Sequence, residues 1–181
     1  STEKTTYAFR EGVATYAGGG VVTTVEERIE STTGTFYRDD RRLHFSGDVH
    51  MEMDTLDVRS EQVVYLPEDR VLVFPVEATV THPSGGVSGD RGRWSMEPGR
   101  GWFAGVADAP ARFRDGDLAV AADSLVMGDT LGLAVGRVVI RDTSGQYRLR
   151  ADTAHFGPLS ATGDSSTTMR LRGHASAWLL D

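Results

Sequence analysis

Five histidines, His44, His50, His82, His155 and His174, and four repeat-spaced acids, Glu61, Asp90, Asp123 and Asp152, are the residues through which this chain could perform acid–base or metal chemistry. The histidines are scattered, and no pair of them has the H-E-x-x-H spacing that puts two imidazoles on one helix face. The acids stand singly, roughly one structural unit apart, so they cannot crowd the six to eight oxygens that calcium takes. They read instead as bulge or corner residues. Gly99, Gly101 and Gly105 mimic a glycine-rich phosphate loop, but a strand pattern follows them where a helix is needed. No nucleophile elbow or Rossmann fingerprint occurs, and the absence of cysteine excludes thiolate chemistry, disulfides and Cys-ligated zinc. Arg148 and Arg150, like Arg170 and Arg172, alternate with apolar neighbours as the wet face of two strands would, and an anionic head group is their functional reading. The expectation is a non-enzymatic protein with no cofactor and no metal.

What must position these residues is a repeat. Tyr7, Phe36, Tyr65 and Trp94 recur every 29 residues, and Tyr16, Phe45, Phe74 and Phe103 follow each of them by nine. Four residues before the first series stand Glu3, Thr32, Glu61 and Asp90, and the same anchor precedes Met127 at Asp123 and Phe156 at Asp152. The step from Asp90 to Asp123 is 33, which an insertion around Pro110 to Asp117 would explain. Glycine keeps a third register at Gly18, Gly47, Gly105 and Gly136, with Val76 in one copy.

Around each anchor the apolar positions alternate, as in Leu56, Val58, Ser60, Val63 and Tyr65, and their parity flips at the anchor. Period two means a strand with one buried face, and the flip means an extra residue absorbed in a bulge. Turn residues at 38–42, 67–70 and 97–101 then make long hairpins, placing Phe36 opposite Phe45 and Tyr65 opposite Phe74. The pattern predicts an all-β single domain over 1–181, with about twelve antiparallel strands of roughly ten residues. Residues 1–156 hold the repeats, 157–168 a Ser/Thr/Gly-rich loop, and 169–181 a terminal strand.

Composition narrows the partners. The formal net charge of -7 argues against nucleic acid, and no apolar run approaches the ~18 residues of a membrane-spanning helix. The first residues, Ser1 to Lys4, are polar, so a secretion signal or anchor is expected to lie outside this sequence.

The stretches SEQVVY (60–65), ADSLVM (122–127), ADTAHF (151–156), LHFSGDVHM (43–51) and AVGRVVI (134–140) resemble the OstA-like family of lipopolysaccharide transport, which includes LptA, LptC and the N-terminal domain of LptD. The family usually has Gly-Asn-Val where this asparagine-free chain has Gly47-Asp48-Val49 and Gly136-Arg137-Val138. The resemblance implies an open-ended twisted β-jellyroll in the periplasm whose two sheets form an apolar groove for lipid acyl chains. Its lining would come from Phe45, Val49, Met51, Val63, Tyr65, Phe74, Trp94 and Phe103. The implied partners are lipopolysaccharide or a related lipid, and other such jellyrolls joined through edge strands, a second copy among them. The alternative is a structural β-repeat protein, an adhesin or stalk, with a packed core and no ligand.

Overall fold

The computed structural model describes residues 6–10, 12–25, 27–83, 85–97, 99–128, 131–157 and 168–179. Its regular structure is all β, as period-two patterning demands, and among the described residues no helix is long and apolar enough to cross a membrane. Among the described residues, seventeen strand segments form one antiparallel system. The first five are β1 (Thr6–Arg10), β2 (Val13–Thr23), β3 (Glu27–Tyr37), β4 (Arg42–Met53) and β5 (Leu56–Leu66). β6 (Val71–Phe74) and β7 (Ala78–His82) together pair along β5, followed by β8 (Gly85–Gly89) with β9 (Arg91–Ser95), and β10 (Arg100–Ala104) with β11 (Ala111–Asp115). β12 (Leu118–Ala122) with β13 (Ser124–Met127), then β14 (Gly132–Asp142), β15 (Tyr147–Gly157), and β16 (Thr168–Arg172) with β17 (Ser176–Leu179) complete the order. Joined across their breaks, these segments are twelve long strands running in sequence order.

Every long strand after β1 bends in the middle, and the bends line up. Along β4 and β5 the register jumps between Ser46 and Val49, so Gly47 and Asp48 oppose the single residue Glu61. The jump recurs between Ala17 and Gly20 on β2 and between Val135 and Val138 on β14. Two residues against one is a β-bulge, and here both bulged residues are left-handed: Gly47 and Asp48 at φ 77° and 48°, Gly136 and Arg137 at 77° and 45°. This bulge is the extra residue that flips the apolar parity. The row of bends divides the system into two half-sheets that lie face to face. One contains β7, β8, β11, β12, β17 and the halves of β2, β3, β4, β5, β14 and β15 that continue it. The other contains β1, β6, β9, β10, β13, β16 and the remaining halves. The result is a β-jellyroll, open at both ends.

The inner faces share one core. Phe113 of the first half-sheet meets Phe156 of the second at 5.5 Å between ring centroids, and Phe74 stacks on Phe103 at 5.7 Å. Large inward rings lie beside glycine on a neighbouring strand: Tyr16 pairs with Gly34, Trp94 with Gly101, Phe103 with Gly92 and Phe156 with Gly132. A Cβ at Gly101 would fall 2.4 Å from Trp94 and one at Gly132 2.2 Å from Phe156, so the rings occupy the space the glycines vacate. Gly101 and Ala134, small residues that could have left a lumen open, therefore sit in filled sections of the core, whereas Ala107 and Ala109 lie exposed in a bend.

Three details differ from the sequence expectation. Phe36 pairs with Leu43 and Phe45 with Gly34, and Tyr65 pairs with Leu72, because the four-residue turns at 38–41 and 67–70 end in left-handed Arg41 and Arg70 and centre one residue earlier than expected. A one-residue shift of a turn moves cross-strand partners by two. The slip between Asp90 and Asp123 is absorbed at 105–110, in the bend between β10 and β11, while residues 111–117 are strand and turn. Gly157 and Thr168 belong to strands, the interval 158–167 lies outside the described residues, and the terminal strand is broken at 173–175.

Candidate functional site: the interior and its row of bends

Phe45, Val49, Met51, Val63, Tyr65, Phe74, Trp94 and Phe103 all face the interior and belong to the same core cluster, each 5% exposed or less. Val49 and Met51 come from the first half-sheet and the other six from the second, so the proposed lining is drawn from both walls. In the middle of the stack the walls touch. The interior opens laterally on the side of the hairpin tips, where Met53, Leu56, His82, Trp94 and Met96 line a cavity of about 150 Å³ rimmed by Glu27, Arg70 and Glu97. Arg70 Nε is buried without a hydrogen-bond partner, with Glu97 3.6 Å away. Tyr65 spans this rim: its hydroxyl donates to Glu27 Oε1 at 3.0 Å, and burial, reinforced by the Glu27 carboxylate, pushes the phenol up to about 12. Sequence reasoning missed this mouth, because its residues come from five different hairpin turns and the strand that carries Trp94.

At the two ends of the stack, inward positions reach water. Val22 and Phe36 are 36% and 38% exposed at one end, and Leu179 is 86% exposed at the other. Among the described residues, no further element covers the apolar side chains there.

The acidic anchors are corner residues, as their single spacing implied. Asp123 N–H donates to Gly136 O at 2.9 Å, and Asp152 N–H donates to Gly173 O at 3.0 Å. At three of the corners the anchor side chain covers the bulge glycine of the next strand: a Cβ at Gly47, Gly136 or Gly173 would strike Thr32, Asp123 or Asp152 within 2.6 Å. The left-handed residue after the glycine then reaches back. Arg137 Nε donates to Asp123 Oδ1 at 2.7 Å, and His174 Nδ1 lies 2.8 Å from Asp152 Oδ2. Gly173-His174 is a copy of the motif that the 29-residue count overlooks, because the longer connection before β16 shifts its register.

The hydrogen bond and charge of Asp152 raise the His174 pKa above its ordinary value. The imidazolium therefore supports the last bend fully below the unfolded pKa of about 6.5 and loses that support as pH rises through the raised folded value. In a proton NMR titration His174 is expected to titrate above 6.5, and Asp152→Asn is expected to bring it back; an unchanged midpoint in the variant would remove the pair from the bend.

Among the described residues, the group able to crowd one cation is His50, Glu52 and Asp57, on the outer face of the first half-sheet. Its members are already engaged: Asp57 with His50 at 2.7 Å and with Arg59 at 3.5 Å, Glu52 with Arg28 at 3.8 Å. They form a cross-strand charge ladder.

No family model matches this chain, and no curated protein matches it significantly.

Proposed function

We propose that this chain is a non-enzymatic lipid-transport module of the OstA-like kind. It shields the acyl chains of lipopolysaccharide or a related lipid between its half-sheets, works in the periplasm, and joins other jellyrolls or copies of itself edge to edge. The supporting observation is an apolar interior that no element caps among the described residues, continuous from Val22 and Phe36 at one end to Leu179 at the other, with a methionine-containing mouth along one side. Methionine suits a wall that must repack around a guest. An acyl chain enters by parting the walls at the hairpin tips, and a dozen buried methylenes, worth roughly 10 kcal/mol at ~0.8 kcal/mol each, offset the wall-to-wall packing that parting disrupts. Arg70, short of a hydrogen-bond partner at the rim, is placed to meet a head-group phosphate. Edge joining follows from β16 and β17, whose outer backbone groups form no ladder within the described residues.

A second reading, the packed structural repeat, is favoured by one observation: Phe45, Phe74, Phe103 and Phe156 are fully buried and their glycine gaps are filled. A photo-crosslinking residue at Phe74 or Trp94, compared with outward Arg59 or Glu77, separates the two. The transport reading expects lipopolysaccharide adducts at the inward pair alone. Equal labelling at all four positions, or none at the inward pair, leaves the packed repeat standing.

A further inference from the structure

Five arginines occupy neighbouring positions on the outer face of the first half-sheet. Arg112 and Arg114 stand on β11, Arg141 on β14, and Arg148 and Arg150 on β15. Pairing sets Arg114 opposite Ala119, Ala119 opposite Arg141, and Arg141 opposite Arg148. The adjacent row reads Arg112, Ala121, Val139 and Arg150. Neither row holds a carboxylate, and among the described residues none of the five arginines is in an ion pair, although the whole chain carries a net charge of -7. The opposite end of the same face shows the ordinary solution, with Arg28 and Arg59 each paired to acids.

Like charges directly opposite each other on a sheet are destabilising. The Arg148 guanidinium shows the strain: burial first, then Arg150 and Arg141, hold it below the usual arginine range, and its Nε is buried without a partner. The surface beside it is also shaped. Gly86 and Ser88 on one flank of Arg112 and Arg114, and Ala119 and Ala121 on the other, let the face sink into a groove of about 620 Å³ bounded by Pro110, Val139 and Arg141. That volume is in the range of small-ligand sites.

We propose that this groove binds a phosphate-bearing ligand through Arg112, Arg114 and Arg141, with Arg148 and Arg150 extending the cationic field. Strands lie ~4.8 Å apart, so the stems of Arg114 and Arg141 are roughly 10 Å apart across Ala119, and one phosphate between them is within reach of both guanidinium forks. Alanine at the centre leaves that space empty, and the apolar floor accepts the body of the ligand. The phosphate can be free or carried by a lipid head group. The site lies on the outer wall and does not depend on what the interior carries.

The test uses inorganic pyrophosphate in calorimetric titration, and sedimentation with phosphatidylcholine vesicles with and without phosphatidic acid. At least one phosphate probe is expected to bind, and Arg114→Gln with Arg141→Gln to weaken it at least ten-fold. Arg114→Lys with Arg141→Lys keeps the charge but not the fork, and is expected to recover only part; it also serves as the readout should the glutamine pair fail to fold. Arg93→Gln, on the other half-sheet, is expected to change nothing. Pyrophosphate binding without vesicle binding identifies a free ligand, and the reverse identifies a head group. Binding of neither probe, full recovery by the lysine pair, an equal loss in Arg93→Gln, or binding of a single-stranded oligonucleotide with neither phosphate probe would overturn the proposal.

Discussion

Phe103→Ala is expected to lower unfolding stability by about 3–5 kcal/mol, the largest single loss in the molecule. The ring is fully buried and stacks on Phe74 at 5.7 Å, with Trp94 at 6.5 Å. Backbone collapse cannot refill its place, since the neighbouring position is Gly92, a residue with no side chain to advance. An outward change on the adjacent strand, Arg93→Ala, is expected to cost no more than about 0.5 kcal/mol. Urea unfolding of both variants is the measurement. Equal small losses would mean that the aromatic registers do not mark a core.

Gly132→Ala comes second, with an expected loss of about 1–3 kcal/mol from overpacking. Its new methyl would lie 2.2 Å from Cζ of Phe156, a ring held against Phe113 and unable to swing outward. Gly86→Ala makes the contrast, because nothing lies within 4 Å of its would-be Cβ and its backbone is not left-handed. There the loss of unfolded-state freedom should leave stability unchanged or raise it by up to ~1 kcal/mol. Combining Gly132→Ala with Phe156→Leu should recover part of the loss, since the smaller side chain makes room. A cycle without coupling would show that the pair does not touch.

The two variants also mark how much could be read beforehand. Alternation, the 29-residue period and the parity flip at Glu61 are local properties of the chain, so the all-β fold, the twelve long strands and the bulge row were legible. So were the eight inward residues, because each sits in an aromatic or apolar register. Partners across strands were not, because they depend on where each turn centres: a left-handed Arg41 in place of glycine moved the partner of Phe45 from Phe36 to Gly34. Whether the interior is filled depends on a ring from one strand and a glycine from another, which no single window contains. The mouth at Arg70 and the arginine rows needed the strand order itself. Arg114 and Arg141 are 27 positions apart in sequence and meet only through β12.

The bends have a mechanical consequence. From β2 onward, each long strand starts in one half-sheet, turns through the row of corners and continues in the other, so the walls are stitched together by covalent chain at every rung. Sliding one wall past the other would have to drag every bend out of register at once. Rotation about the corner line breaks none of those links and disturbs only the packing at the hairpin tips, as a book opens along its binding. The molecule is therefore stiff to shear and compliant to splaying, and any guest it admits must enter from the fore-edge or through an end.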